Sequence, residues 1–342
     1  MRVLVTGGTG FVGSHVARAL LADDHEVVIL DREETHPTPG AELIRADVRD
    51  GDAVRTALRG VDAVSHQAAK VGLGLDIADI ASYVSDNDLG TAVLLRELAL
   101  AGFGGRVVLA SSMVVYGEGR YRCADHGLVR PGPRAAGDLD AGRFEPPCPL
   151  CAALLSPEPV PEDAPLDPRS VYAATKLQQE HLCAAFSRET AVAVTALRYH
   201  NVYGPGLPRD TPYAGVSALF LDALLGGESP RVFEDGRQRR DFVHVRDVAR
   251  ANLLALTAGE PVLGALNVCS GRPRTVGDMA SALAGAVGVD ALQPIVTGQY
   301  RLGDVRHVFA APDRAARKLG FTAREDFDAG MAELAEKSMN KR

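Results

Sequence analysis

The stretch Arg2–Ala22, RVLVTGGTGFVGSHVARALLA, decides the fold class of this protein. Arg2–Thr6 is a short β-branched run, glycines follow at positions 7, 10 and 13, and the next apolar residues recur at helical spacing. A glycine loop between a strand and a helix lets the backbone approach a pyrophosphate, whose charge meets the unpaired N–H groups of the helix. We therefore predict a dinucleotide site formed by Gly7, Gly10, Phe11, Val12 and Gly13.

Short apolar strands alternate with amphipathic helices through residue 198. The pattern predicts strands at 25–31, 41–46, 61–66, 106–111 and 192–198 and helices at 53–58, 80–101 and 171–189. Such alternation is typical of a parallel sheet with helices on both faces, which is a doubly wound α/β fold. After Gly204 the pattern becomes irregular, and this change indicates a second, smaller lobe.

Composition argues against two classes of partner. The chain of 342 residues carries a formal net charge of -7, whereas a nucleic-acid-binding protein presents a basic face. It has no apolar run of about twenty residues, and its opening MRVLVTGG lacks the features of a signal peptide. We expect a cytoplasmic protein with no nucleic-acid partner and no membrane partner.

Acidic residues after the second and third strands indicate which dinucleotide is bound. Asp31 closes the second strand, where its carboxylate can accept hydrogen bonds from the adenosine ribose and repel a 2′-phosphate. This favours NAD over NADP, although an arginine such as the neighbouring Arg32 can accommodate that phosphate. Asp47, after the third strand, is either an adenine contact or a solvated loop residue.

A tyrosine and a lysine in SVYAATKLQQE (170–180) form the candidate catalytic pair. Tyr172 and Lys176 are four residues apart and share one face of a helix. A nearby ammonium favours a phenolate, which can remove a proton from an alcohol. The strand in VVLASSMVVYGEG (107–119) ends at Ser111 and Ser112, and Ser112 offers a hydroxyl to the reacting oxygen.

Six features spread over nearly the whole chain resemble the extended short-chain dehydrogenase/reductases that act on nucleotide sugars, the NAD-dependent epimerase/dehydratase family: TGGTGFVG (6–13), Asp31, SSMVVYG (111–117), YAATK (172–176), LRYHNVYGP (197–205) and RRDFVHVRDVA (239–249). The resemblance implies a Rossmann domain over 1–203, to which 241–258 returns, and a C-terminal domain, mainly 204–342, that binds the nucleotide sugar. It also implies bound NAD and a homodimer.

The same resemblance assigns roles to individual residues. Ser112 matches the family's catalytic Ser/Thr, Tyr172 the base and Lys176 the ribose-binding lysine, so the pair also contacts the cofactor. Substrate contacts are assigned to Ser112, Met113, Asn201, Arg240 and Arg301, of which the last three match phosphate-binding residues. The alternative for these three is surface charges and turn caps. The remaining cofactor contacts fall on Val48, Ala68, Ala69, Lys70, Asn87 and His200.

The two residues that directly follow Ser112 indicate which reaction is catalysed. Dehydratases of the family carry an Asp-Glu pair there, whereas this chain has Met113 and Val114, which cannot transfer protons. AAKVGLG (68–74), TPYAGVSALF (211–220) and FEDGRQRRDFVHVRDVA (233–249) resemble the branch that epimerises dTDP-L-rhamnose at C4. Lys70 and His200 depart from the family pattern near the expected substrate. The alternatives are a UDP-hexose or UDP-hexuronate 4-epimerase, a nucleotide-4-ketosugar reductase, and a dinucleotide-binding sensor without turnover.

The chain carries an insert at 119–160 that contains YRCADHGLVRPGPRAAGDLDAGRFEPPCPLC (121–151). Cys123 and His126, followed by Cys148 and Cys151, offer four ligands in two knuckles, which suits a closed tetrahedral zinc site. The segment is too rich in proline and glycine to form a core of its own, so a metal would stabilise it. We expect structural zinc; the alternative is a surface insertion whose reduced cysteines have no role.

Overall fold

The computed structural model describes residues 1–72, 77–209, 215–288 and 292–340. AAKVGLG (68–74) and TPYAGVSALF (211–220) therefore lie partly outside the described residues. The strands are β1 Arg2–Thr6, β2 Glu26–Asp31, β3 Glu42–Arg45, β4 Ala63–His66, β5 Arg106–Ser112, β6 Arg120–Cys123, β7 Gly127–Val129, β8 Ser156–Glu158, β9 Ala193–Tyr199, β10 Asn201–Tyr203, β11 Arg231–Val232, β12 Arg239–Arg240, β13 Phe242–His244, β14 Gly264–Val268, β15 Arg274–Thr275 and β16 Ile295–Val296.

Helices connect most of these strands. They are α1 Phe11–Ala22, α2 Gly51–Ala57, α3 Ile80–Tyr83, α4 Gly90–Leu100, α5 Ala136–Asp140, α6 Val171–Thr190, α7 Val216–Leu225, α8 Val245–Thr257, α9 Val276–Val287, α10 Asp313–Leu319 and α11 Phe327–Met339. The turns Ile77–Asp79 and Met113–Tyr116 are 3-10 helical, and a π-helical turn, Val84–Leu89, joins α3 to α4. None of the described helices is long and apolar enough to cross a bilayer.

A parallel sheet of seven strands forms the centre, in the order β14-β9-β5-β4-β1-β2-β3. The chain runs outward from β1 to β3 and then returns to β4 on the other side of β1. This reversal places a crevice at the carboxyl ends of β1 and β4, which is where doubly wound sheets bind ligands. The predicted Rossmann fold is confirmed. The seventh strand, β14, comes from residues after the predicted boundary at 203, which the sequence did not indicate.

Successive residues of β1 supply the two faces of the core. Val3, Leu4 and Val5 are all fully buried; Val3 and Val5 pack on one face and Leu4 on the other. Helices α1 and α8 cover the first face and α2, α4 and α6 the second. Alternating orientation with burial on both sides explains why the strands are almost continuously apolar.

The smaller lobe, formed mainly by α7, α9 and α11, has a separate apolar core. Leu221, Met279, Leu283 and Met331 are fully buried within it. The insert forms a three-stranded sheet in the order β7-β6-β8. The short helix α5 lies between β7 and β8 in the chain. A cavity lies at the carboxyl edge of the central sheet.

Candidate active site

A cavity of about 780 Å³ lies at the point where the sheet order reverses. It collects most residues that the sequence assigned to the cofactor and to catalysis. These lining residues are Gly7, Gly10, Phe11, Val12, Gly13, Asp31, Arg32, Asp47, Val48, Ala68, Ala69, Lys70, Ser112, Tyr172, Lys176 and His200.

The glycine loop is shaped by close backbone contacts. Gly7 has a φ of +66°, and a Cβ there would lie 2.7 Å from the Cα of Ala68. A Cβ on Gly13 would lie 2.0 Å from the carbonyl oxygen of Gly7, so this position excludes any side chain. Gly10 is different, because its nearest contact would be 3.3 Å away. The bare backbone and the N-terminus of α1 thus line the cavity in the way that a pyrophosphate requires.

The carboxylates at the other end of the cavity indicate a ribose without a 2′-phosphate. Asp31 accepts a hydrogen bond of 3.0 Å from the backbone N–H of Thr9. The Arg32 guanidinium lies 3.6 Å from Asp47 and 3.7 Å from Asp86, so it is already paired with anions. Asp86 also lines the cavity, and the sequence gave no indication of it. A dianionic phosphate placed here would meet several carboxylates, which disfavours NADP.

The candidate catalytic residues come from β5 and α6. Ser170 caps α6 by accepting a hydrogen bond of 3.1 Å from Ala173 N–H. One turn further on, Lys176 is 3% exposed and its Nζ donates a hydrogen bond of 2.9 Å to the carbonyl of Ala110 in β5. This bond ties the helix to the strand that ends at Ser112. The structure therefore brings Ser112, Tyr172 and Lys176 together in one cavity.

Burial controls the protonation of this pair. It raises the pKa of Tyr172 to about 12, against an opposing effect of hydrogen bonding with Ser112. Burial also lowers the pKa of Lys176 to about 8. The phenol alone is therefore a poor base at neutral pH, and a cationic ligand in the cavity would lower its pKa.

Asn87 does not line the cavity, but its hydrogen bonds join two segments that do. Its Oδ1 accepts a hydrogen bond of 2.7 Å from Lys70 N–H, and its Nδ2 donates bonds of 3.0 Å to the Lys70 carbonyl and 2.9 Å to Thr175 Oγ1. It thus joins the loop after β4 to helix α6. The side chain of Lys70 bonds to Ser82 at 3.0 Å and lies 4.9 Å from the ring centroid of Tyr83.

His200 is a buried polar side chain in the cavity wall. It is 3% exposed; among the described residues neither ring nitrogen makes a hydrogen bond of normal geometry, and a weaker interaction with Asn267 opposes the effect of burial on its pKa. Burial lowers its pKa to about 3, so the imidazole is neutral at physiological pH. A neutral ring with both nitrogens unused can still donate one hydrogen bond and accept another.

The other predicted substrate residues lie outside this cavity. The Arg240 guanidinium donates bonds of 2.8 Å to the Arg306 carbonyl and 2.7 Å to the Val305 carbonyl. Arg301 is exposed and lies 5.6 Å from the ring centroid of Phe233, which lines a second cavity of about 510 Å³. The buried Oδ1 of Asn201 has no hydrogen-bond partner within the part of the chain that the structure describes, and Met113 packs in a small apolar cluster beside Val115.

Some lining residues were missed by the sequence reasoning. The loop after β10 contributes Gly206, Leu207, Pro208 and Arg209, and the segment after β2 contributes Thr35 and His36. These positions belong to irregular loops, where no periodic pattern indicates which side chains face inward. In the sequence, Gly204 and Pro205 after NVY (201–203) indicated a turn but not which side chains of the loop face the cavity.

The four predicted metal ligands form a cluster away from both cavities. The ligand atoms of Cys123, His126, Cys148 and Cys151 all lie within 4.8 Å of one another. Their sequence separation is large, so the folding of the insert has brought two distant knuckles together.

Comparison with known proteins covers almost the entire chain. The model of the NAD dependent epimerase/dehydratase family matches residues 3–133 and 153–269. The dTDP-L-rhamnose 4-epimerase of Burkholderia thailandensis is 33% identical, over 97% of this chain and 93% of the relative. The structure of UDP-glucose 4-epimerase from Thermotoga maritima with UDP-glucose has a TM-score of 0.81 at 27% identity, covering 100% of this chain and 99% of that one. The Thermus thermophilus UDP-glucose 4-epimerase complex with NAD has a TM-score of 0.77 at 31% identity, covering 98% of each chain.

Proposed function

Because the chain belongs to the NAD-dependent epimerase/dehydratase family, we propose that it is a nucleotide-sugar 4-epimerase that interconverts dTDP-L-rhamnose and dTDP-6-deoxy-L-talose. The observation that carries this proposal is the presence of Ser112, Tyr172 and Lys176 in the same cavity as the glycine loop. A site that only sensed a dinucleotide would need the loop but would not need a buried proton acceptor beside it.

The residues present fit NAD. The glycine loop leaves backbone uncovered at the N-terminus of α1, and Asp31 faces the expected ribose while Arg32 is paired with Asp47 and Asp86. Gly7, Gly10 and Gly13 would hold the pyrophosphate and Lys176 the second ribose. NAD held there would supply reversible hydride transfer at the sugar C4.

Tyr172 moves the proton in this proposal. Its phenolate accepts the proton of the sugar 4-hydroxyl and returns it to the same oxygen once the carbon has been inverted. Ser112 donates a hydrogen bond to that oxygen and keeps it beside the phenol. Lys176 follows Tyr172 by one turn of α6 and is held by its bond to the Ala110 carbonyl; an ammonium on this face of the helix would favour the charged form of the base.

The residues after Ser112 argue against dehydration. Elimination of water across two carbons requires an additional acid and base, but Met113 and Val114 occupy these positions. Met113 packs against an apolar cluster that includes Val115. The absence of this acid–base pair favours chemistry at a single carbon, as in a 4-epimerase.

The rhamnose substrate is supported by the match to the Burkholderia enzyme and by the motifs shared with that branch. A UDP-hexose is the second candidate, since the similar Thermotoga and Thermus structures are both of UDP-glucose 4-epimerases. In either case Arg240 and Arg301, which lie outside the large cavity, would contact the phosphates as the family resemblance implies. The base and the sugar must be distinguished by other residues.

Turnover with defined sugars tests the proposal. We expect dTDP-L-rhamnose to give a new anomeric proton signal by NMR with no change in absorbance at 340 nm and no added cofactor. Faster epimerisation of UDP-glucose or UDP-glucuronate would overturn the substrate assignment and keep the mechanism. A requirement for stoichiometric NADPH would favour a ketosugar reductase, and no reaction with any nucleotide sugar would favour a sensor.

NAD should stay with the protein through purification, because a hydride that returns to the substrate leaves no reason for the cofactor to exchange. The protein is denatured and its supernatant analysed by chromatography. Recovery of NADP alone would contradict the argument from Asp31, Asp47 and Asp86.

A further inference from the structure

The insert (119–160) contains a cluster of thiols and an imidazole that the proposed reaction does not use. The Cys123 Sγ lies 3.5 Å from His126 Nδ1 and 3.7 Å from Cys151 Sγ. The Cys148 Sγ lies 3.7 Å from His126 Nδ1. Three sulfurs and one nitrogen therefore surround a common point.

These separations match a tetrahedral metal site and exclude a disulfide. Zinc bonds of about 2.3 Å to sulfur and about 2.0 Å to nitrogen place neighbouring ligand atoms roughly 3.5–3.8 Å apart. A disulfide requires a sulfur–sulfur distance of about 2.05 Å, whereas Cys123 and Cys151 are 3.7 Å apart. Three cysteines and one histidine form a ligand set of structural zinc sites.

The backbone around Cys148 is folded as a metal-binding knuckle. Leu150 N–H points at the Cys148 Sγ at 3.5 Å, and Ala152 N–H donates a bond of 2.9 Å to the Cys148 carbonyl. N–H groups directed at sulfur favour the thiolate, which is the form that binds metal. The other knuckle is the turn between β6 and β7, where Cys123 pairs with Gly127.

The insert has little apolar core to hold the knuckles together. Its buried cluster contains Tyr121, Cys123, Cys148 and Leu155, so two of the four members are themselves thiols. So small a cluster cannot offset the entropy of ordering the insert. A metal ion that binds four side chains from both knuckles supplies this stabilisation.

The insert also holds a buried arginine of the smaller lobe. Glu145, three residues before Cys148, accepts bonds of 2.9 Å and 2.6 Å from Arg306 and pairs with His307 at 2.9 Å. Arg306 is fully buried and bonds also to Asp235, at 2.7 Å and 2.9 Å. The carbonyl of Arg306 in turn accepts a bond from Arg240.

We propose that Cys123, His126, Cys148 and Cys151 bind one structural zinc ion, which holds Glu145 against Arg306 and so fixes the segment that orients Arg240. All four coordination positions are protein atoms, so the metal does not contact the substrate. The zinc site itself involves residues of the insert alone. The link to Arg240 as a phosphate ligand rests on the proposed function.

Metal content tests the site directly. Full-length protein expressed with zinc should contain about one zinc per chain by elemental mass spectrometry. The zinc content of the Cys148→Ser, Cys151→Ser double variant should be at least tenfold lower. Cys183→Ala is the matched control, because this buried cysteine lies in α6 outside the insert, and its zinc content should equal that of the wild type. Iron in place of zinc, or full zinc in the double variant, would overturn the proposal.

Hydrogen exchange tests the mechanical link without reference to any sugar, and it uses wild-type protein in case the double variant fails to fold. Removing zinc with a chelator should increase exchange in residues 304–308, and adding zinc back should restore protection. Glu145→Gln should keep its zinc and show the same faster exchange. Unchanged exchange after confirmed zinc loss would overturn the link, whereas failure of the sugar assays alone would bear only on the proposed function.

Discussion

The ammonium of Lys176 donates a hydrogen bond of 2.9 Å to the carbonyl of Ala110. Ala110 lies two residues before Ser112 in β5, and Tyr172 lies one helical turn before Lys176 in α6. This bond and the hydrogen bond from Ser111 Oγ to Glu180 hold α6, which carries the phenol, against the strand that ends at Ser112. The catalytic roles proposed above depend on this alignment.

Tyr172→Phe should reduce kcat by about a hundredfold to ten-thousandfold, because only the proton acceptor is lost. Cofactor content and the free energy of unfolding should change little, since the ring remains. Steady-state kinetics and the NAD content after denaturation are the measurements. Tyr203→Phe is a matched control, as Tyr203 is buried but does not line the large cavity. Near-normal turnover by Tyr172→Phe would remove it as the base.

Gly13→Ala should destabilise the protein by about 3 kcal/mol or more and abolish NAD retention, because the new Cβ would meet the Gly7 carbonyl. That contact would be 2.0 Å, against 3.3 Å for Gly10→Ala. We expect Gly10→Ala to cost less than about 1 kcal/mol of folding free energy. Denaturant unfolding of both variants is the measurement, and equal losses would show that the loop is not shaped by this contact.

Unfolding should become easier as the pH falls below about 6.5, in part because of two buried histidines. Burial lowers the pKa of both His66 and His200 to about 3. Below an unfolded pKa of about 6.5 the unfolded chain binds a proton that the folded chain does not, so each histidine costs about 2 kcal/mol between pH 7 and pH 5.

His200→Phe tests this cost. The difference in unfolding free energy between pH 7 and pH 5 should shrink by about 2 kcal/mol relative to the wild type. His181→Gln, which replaces an exposed histidine, should leave the difference unchanged. Urea unfolding at the two pH values is the measurement. If His200→Phe leaves the difference in unfolding free energy unaltered, the wild-type His200 imidazole takes up its proton in the folded state over this pH range.

We propose that the protein is a homodimer, as the family resemblance implies, with the apolar face before α4 at the interface. Ile77, Ile80 and Val84 recur at helical spacing and are 71%, 47% and 44% exposed. The Ile80→Glu, Val84→Glu double variant should be monomeric by light scattering, whereas Leu263→Glu, an exposed apolar position elsewhere, should not change the mass. A wild-type monomer at micromolar concentration would contradict this proposal.

The glycine spacing and the apolar runs were enough to predict the Rossmann fold, and the structure confirms it. The reason is local: strands buried on both faces must be continuously apolar, and Gly13 cannot carry a side chain without meeting Gly7. Likewise, Tyr172 and Lys176 share a helix face because they are four residues apart, so this proximity required no tertiary information.

Tertiary structure decided what depends on long-range contacts. The seventh strand, β14, pairs with β9 across more than sixty residues of sequence, as in the pairing of Thr195 with Gly264. Asp86 meets Arg32, and Glu145 meets Arg306, only because the folded chain brings separate segments together. No local propensity encodes such pairs, since each partner alone is an ordinary charged residue. The sequence by itself therefore determined the fold class and the chemistry of the candidate catalytic residues, while the packing of distant segments decided which charges surround the ligand and what the insert holds in place.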